Sequence, residues 1–333
     1  MKKFLISIAV STLFSQILTP ANAGLNAPIN LENPRVVPIF GQPTDVVAPW
    51  AGWSGYLYSP RIVFSAAHSH YRFDNSGNRI LEEAPLITVG KPNSKGSDKT
   101  GRVKVIKTFV GDYKRNNVVG GLNDFIVLVL EKDLVSISNG KLLTADMEKE
   151  MIATQTEISM HGYGEFQDRC APGEAPPCKE DRSDPKKRTS DLPRSQTGVI
   201  KLVTPSYFSW MNLDQKSALA NETLLSDNLS CSGDSGGPLT TLYKGESVYL
   251  GTTPLGFTPG YYCGAGSSRT ADKPSGYFSP VYKHLDLIKA AEDFIKANSV
   301  TTTSKSTITC IKGKLEKKVT GSNPKCPKGY KKK

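Results

Sequence analysis

Residues 231–238 read Cys231-Ser232-Gly233-Asp234-Ser235-Gly236-Gly237-Pro238, a serine framed by glycines with an acid directly before it. A serine hydroxyl is a weak nucleophile at neutral pH and needs a base within hydrogen-bond reach. Two upstream segments supply the missing groups. Ser65-Ala66-Ala67-His68 follows the apolar run Ile62-Val63-Phe64, and Asn123-Asp124-Phe125-Ile126-Val127-Leu128 sets an acid at the head of an apolar run. Histidine suits the base role because its unperturbed pKa is about 6.5. A buried carboxylate would fix the imidazole tautomer and stabilise the imidazolium that forms. The expected roles are Ser235 as nucleophile, His68 as base and Asp124 as the group that orients it. Gly233 lets the backbone turn so that its own N–H and that of Ser235 point at one developing oxyanion. His70 is the rival base, disfavoured by the Ala-Ala-His frame, and Asp112 and Asp133 are rival orienters. His161 and His284 read as core or surface residues.

Around these segments, from Val36 to about Leu250, short runs of Val, Ile, Leu, Thr and Tyr are cut by Gly, Pro, Asn and Asp. Examples are Trp53–Ser59, Ile62–Phe64, Val103–Val110, Phe125–Leu130, Thr156–Met160 and Gly198–Val203. This spacing predicts an all-β sandwich or barrel in preference to βαβ units. One helix is expected over Lys283–Ala297, where Leu287, Ile288, Ala291, Phe294 and Ile295 recur at helical spacing. Residues 167–191 are polar and proline-containing and read as a long surface loop.

The three motifs resemble those of the trypsin/chymotrypsin family. Ser-Ala-Ala-His is similar to its histidine motif, Asp124 with its apolar strand to its aspartate motif, and Gly-Asp-Ser-Gly-Gly-Pro to its serine motif. The chain order His, Asp, Ser is also that family's. The resemblance spans roughly residues 36–297. It implies two packed antiparallel β-barrels with the active-site cleft between them and a C-terminal α-helix. It also implies a serine endopeptidase that needs no cofactor or metal. Pro49-Trp50 resembles the segment opening the first barrel strand, and Gly162-Tyr163-Gly164 the turn near the start of the second barrel. The resemblance further implies that Leu229, Gly256 and Ser275 line the specificity pocket. Leu229 stands where trypsin-like relatives carry an acid, so a basic side chain there would leave its charge unpaired. An apolar residue before the scissile bond is therefore expected. Pro254 falls where a substrate-binding serine is usual. Asp234 would form the activation ion pair, either with a new amino terminus after cleavage at Arg35-Val36 or with an internal Arg or Lys.

The ends of the chain read differently. Lys2 and Lys3, the apolar stretch Phe4–Leu18 and Ala21-Asn22-Ala23 predict a signal peptide over 1–23 and hence secretion. Residues 24–35 read as an irregular leader or propeptide, and 36–298 as the peptidase domain. A Ser/Thr-rich linker follows over 299–309, and a Lys-rich tail over 310–333. Of 333 residues, 38% are hydrophobic and 22% charged, which permits a buried core. The net charge of +11 suggests a nucleic-acid binder until it is located, because the tail carries nine lysines against Glu316 alone. Such a cluster attracts polyanions, and retention on an anionic cell-surface polymer is the expectation, with no specific nucleic-acid partner and a monomeric chain. The six cysteines lack zinc-ligand spacing. Cys170 with Cys178 and Cys310 with Cys326 are close in sequence and read as disulfides, which leaves Cys231 and Cys263. A bridge between those two would lie beside the specificity pocket of the family resembled. Two other function classes stay open, a catalytically silent binding relative and an anionic-polymer-binding protein on a β scaffold.

Overall fold

The computed structural model describes residues 28–41, 52–73, 76, 79–113, 123–164, 190–201, 224–226, 233–253, 276–299, 306–321 and 324–333. The strands in chain order begin with β1 (Val36–Phe40), β2 (Trp53–Ser59), β3 (Ile62–Ser65), β4 (Tyr71–Phe73), β5 (Arg79–Leu81) and β6 (Thr88–Val89). Next come β7 (Val103–Val110), β8 (Ile126–Leu130), β9 (Lys141–Leu142), β10 (Glu157–Gly162), β11 (Arg194–Lys201) and β12 (Leu224–Ser226). The last are β13 (Pro238–Tyr243), β14 (Glu246–Thr252), β15 (Gly276–Pro280), β16 (Ser306–Lys312), β17 (Leu315–Gly321) and β18 (Lys331–Lys332). Two α-helices are described, α1 (Ala145–Ala153) and α2 (Leu285–Ser299).

Strands β1, β2, β3, β8, β7 and β6 close an antiparallel barrel. Leu57, Val63, Ile126, Leu128 and Leu130 point into it with Val37, Ile39, Ile87, Val89 and Val105. Their alternates Tyr56, Tyr58, Ile62, Phe64, Val127 and Val129 face outward into a second core. The period of two along a strand therefore finds apolar surroundings on both sides. That is why every residue of β3 and β8 is buried and all but Ser65 are apolar.

The second core is shared with a seven-stranded sheet ordered β13-β10-β11-β12-β15-β14-β9, in which β14 also pairs with β13. Ile158, Met160, Leu239, Val248, Tyr249 and Leu250 come from that sheet, and Ile288 and Ala291 from α2. Helix α2 lies against the barrel, where Phe294 meets Phe109 edge-on and Tyr58 donates to Glu292 at 3.0 Å. The fold is thus mostly β with a C-terminal helix. The helix begins two residues later than expected, after a 3-10 turn over Val281–His284. Helix α1, which the strand-dominated reading did not anticipate, starts at Thr144, whose hydroxyl accepts the Met147 N–H.

One expectation is corrected at the amino-terminal side. The first barrel strand was expected to open near Trp50, with cleavage at Arg35-Val36 left open. Instead Val36–Phe40 is itself the first barrel strand, fully buried and paired Val36 to Tyr56 and Ile39 to Trp53. Trp50 lies outside the described residues. The preceding residues also dock on the fold. Ile29 bridges Arg194, and Asn30 donates its N–H to Pro193 and its side-chain amide to Ser195. The Arg35 guanidinium donates to the carbonyls of Leu57, Tyr58 and Ser138 at 2.8–3.0 Å. An arginine with its donors so occupied tethers the leader to the barrel.

At the other end, β17-β16-β18 form a separate three-stranded sheet stapled by the Cys310–Cys326 disulfide. The expected linker is shorter than 299–309, because Ser299 closes α2 and the new sheet starts at Ser306. Cys170, Cys178, Cys231 and Cys263, like the signal segment 1–23, lie outside the described residues. Among the described residues no helix is long and apolar enough to cross a membrane.

Candidate active site

His68 stands on a 3-10 turn, Ala67–His70, that follows β3. Ala66 and Ala67 are wholly buried, so the turn packs directly on the barrel core. Asp124 heads β8. The residue before it, Asn123, adopts φ +56°, a left-handed conformation that asparagine tolerates better than most side chains. The Asn123 amide donates to the Asp112 carbonyl at 3.2 Å and Phe125 N–H returns to the Asn123 carbonyl at 2.7 Å. That tight turn drives the Asp124 side chain inward, where it is 1% exposed.

The carboxylate grips His68 twice. Oδ1 accepts the His68 backbone N–H at 2.8 Å, and Oδ2 lies 2.7 Å from Nδ1. An ionised carboxylate only accepts, so Nδ1 carries the proton and Nε2 presents its lone pair. Nε2 lies 2.9 Å from the Ser235 hydroxyl. The order carboxylate, imidazole, hydroxyl is therefore continuous, and the only proton-accepting end faces the serine.

Ser235 belongs to a loop built on close backbone approach. Gly233 sits at φ +92° and Gly236 at φ +82°. A Cβ at Gly236 would lie 2.2 Å from the Ser65 hydroxyl and 2.3 Å from the Ser54 carbonyl, so no larger residue fits without displacing the barrel strand. Asp234 turns away from Ser235 and its Oδ1 accepts the Gly164 N–H at 2.9 Å. The Gly162-Tyr163-Gly164 turn at the end of β10 thus forms part of the Asp234 cradle.

The rival groups are placed elsewhere. His70 is buried against the Trp53 ring at 5.2 Å, and burial, with the His68 charge adding, lowers its pKa to about 3. Asp112 and Asp133 are exposed. His161 and His284 are core residues, as expected, each with its pKa lowered to about 4 by burial. The His284 ring stacks on Phe125 at 4.5 Å, supporting the Asp124 turn from behind. Leu229, Pro254, Gly256 and Ser275 lie outside the described residues.

No protein-family model matches the chain, and no curated protein matches it. The arrangement is read from its chemistry. A hydroxyl on a base that is itself oriented by a buried carboxylate is the constellation of an activated oxygen nucleophile.

One residue of this site has no sequence signal. Ser54, wholly buried in β2, donates its N–H to the Ser235 carbonyl at 3.0 Å and its hydroxyl to the Gly233 carbonyl at 3.1 Å. Its hydroxyl also accepts the Tyr163 N–H at 2.9 Å. Within Trp53–Ser59 it is one small residue among others, and only the packing of the nucleophile loop on β2 distinguishes it.

Proposed function

We propose that this protein is a secreted serine endopeptidase of the trypsin/chymotrypsin type. The observation that carries the reading is the unbroken chain from Asp124 through His68 to the Ser235 hydroxyl. Ser235 attacks the peptide carbonyl as its proton passes to His68 Nε2, giving a tetrahedral oxyanion faced by the N–H groups of Gly233 and Ser235. Collapse of that adduct breaks the C–N bond, and His68 returns the proton to the leaving amine. Water then repeats the sequence on the acyl ester, releasing the acid and restoring the serine. Because Leu229 stands in sequence where trypsin-like relatives carry an acid, the preferred substrates on this reading carry an apolar residue before the scissile bond.

The same reading treats the seven-stranded sheet as the second barrel of a two-barrel fold. In its support, β13, β10, β11, β12, β15 and β14 are paired in sequence and β14 returns to β13. The cleft would then lie where Ser54 of the first barrel meets the nucleophile loop of the second. The stapled C-terminal sheet, with lysines at 312, 317, 318, 331 and 332 on its strands, is proposed to hold the enzyme on an anionic cell-surface polymer.

The deciding experiment is labelling with a fluorophosphonate probe followed by mapping of the modified peptide, alongside hydrolysis of peptide libraries. Labelling at Ser235 that Ser235→Ala abolishes, with turnover lost by several orders of magnitude, supports the peptidase. A folded protein that is neither labelled nor hydrolytic would instead be a silent binding protein. Removal of residues 306–333 should release the protein from an anionic polymer column and leave turnover intact.

A further inference from the structure

The geometry points to Ser54 as a positioning residue that sets the oxyanion-binding backbone from across the cleft. This inference rests on the peptidase reading above and deepens it. The two N–H groups expected to face the oxyanion belong to Gly233 and Ser235, and the carbonyls of those same residues are both held by Ser54. Ser54 therefore grips the loop on either side of Asp234. The peptide in between is held separately, by Gly237 N–H on the Asp234 carbonyl at 2.8 Å and by Gly164 N–H on the Asp234 carboxylate.

The side-chain bond matters most at Gly233. With no Cβ and a φ of +92°, Gly233 has little intrinsic resistance to rotation. A hydroxyl fixed on its carbonyl holds the Gly233–Asp234 peptide, and so limits the φ and ψ through which the Gly233 N–H, in the preceding peptide, can turn. The hydroxyl is itself fixed, since it has one proton and uses it on Gly233 while accepting from Tyr163 N–H. Tyr163 is the middle residue of the turn after β10 that also cradles Asp234. The Ser54 carbonyl is anchored in turn by the Ser65 hydroxyl at 3.0 Å. One buried serine thereby ties barrel strand β2, the β10 turn and the nucleophile loop into a single unit. An alanine here would keep the strand but lose the Gly233 restraint and strand the Tyr163 N–H.

Ser54 touches neither His68 nor Asp124 in any of these bonds, so its loss should affect transition-state stabilisation and spare the base. Removal of an oxyanion donor itself costs roughly 100- to 1,000-fold in kcat. Loss of the restraint on one donor is expected to cost about 10- to 100-fold, with KM changed by less than about threefold.

The test compares wild type, Ser54→Ala and Ser54→Cys for kcat and KM. It also measures affinity for a peptide boronic acid, which forms a tetrahedral adduct with the serine. Thr241→Val serves as control, since it removes another buried hydroxyl, bonded to the Glu157 carbonyl, in the second sheet. The expected result is a fall in kcat for Ser54→Ala with matching loss of boronate affinity and an unshifted pH profile. Ser54→Cys, a weaker donor of similar size, should fall between, and the control should keep its kcat within about threefold. If Ser54→Ala does not fold, the kcat and boronate affinity of Ser54→Cys decide. Unchanged kcat, a loss confined to KM, unchanged boronate affinity or an equal loss in Thr241→Val would each overturn the assignment. A wild-type protein that fails to label at Ser235 would overturn the peptidase reading itself, and this proposal with it.

Discussion

Replacing Asp124 by asparagine isolates the tautomer argument, because the structure dictates which way the new amide must face. One carboxylate oxygen accepts the His68 backbone N–H at 2.8 Å, and a backbone donor cannot rotate away. The asparagine oxygen must therefore occupy that position, which aims its NH2 group at His68 Nδ1, where Oδ2 now lies at 2.7 Å. Two donors cannot face each other, so Nδ1 gives up its proton and Nε2 acquires one. Nε2–H then points at the Ser235 hydroxyl, 2.9 Å away, and has no lone pair to receive its proton. The nucleophile is left intact and unactivated. A wrong tautomer in such a triad costs about 10,000-fold in kcat, or about 5.5 kcal/mol in the barrier. Since asparagine is nearly isosteric, the fold should persist. The assay is kcat/KM on a peptide substrate from pH 6 to 10, with thermal melting as the control for folding. A loss below tenfold in a folded Asp124→Asn protein would refute the reasoning.

Acid should weaken the fold through three buried histidines. Burial lowers the pKa of His70 to about 3 and those of His161 and His284 to about 4, while the unfolded side chains keep about 6.5. The unfolded state thus binds more protons below pH 6.5, so this stability is complete above that pH and is lost as pH falls toward 4. The linkage amounts to about 2 kcal/mol per histidine between pH 7.5 and 5, and a melting temperature that does not fall over that interval would contradict it. Arg35→Ala should cost about 2 kcal/mol, because three carbonyls lose charge-assisted donors. Urea unfolding checks this, and a change under about 0.5 kcal/mol would mean the leader is not tethered through Arg35.

The barrel strands were legible because their residues repeat with a period the backbone imposes. Trp53–Ser59 and Val103–Val110 match the observed strands to the residue, and α2 declared itself by helical spacing. His68 and Ser235 could be named because alanine and glycine frames are short, local requirements of tight turns, and Asp124 because it heads an apolar run. What escaped was whatever depends on partners distant in sequence. Val36–Phe40 contains Pro38, which cannot donate to a ladder, and its place in the barrel is fixed by β2 and β6, not by its own pattern. The lysine-rich tail reads as charge, yet Ile308 pairs with Val319 and Cys310 with Lys317 to form a sheet. Ser54 carries no local mark at all. Helix α1 did have one, a threonine cap with Asp146 and Glu148 in the first turn, outweighed by the strand-like runs around it.

The segments that meet at Ser235 are widely spaced along the chain. His68 precedes the serine by 167 residues, and Ser54 precedes Gly233 by 179. Synthesis proceeds from the amino end, so the barrel can collapse around its own core while the nucleophile has yet to be made. The base and its carboxylate then wait, paired but idle, until β13 and β14 bring the loop alongside β2. On the proposed reading, a hydrolase assembled in that order would have no cutting edge while its own unfolded segments are the nearest substrate, and would acquire one only as those segments disappear into structure.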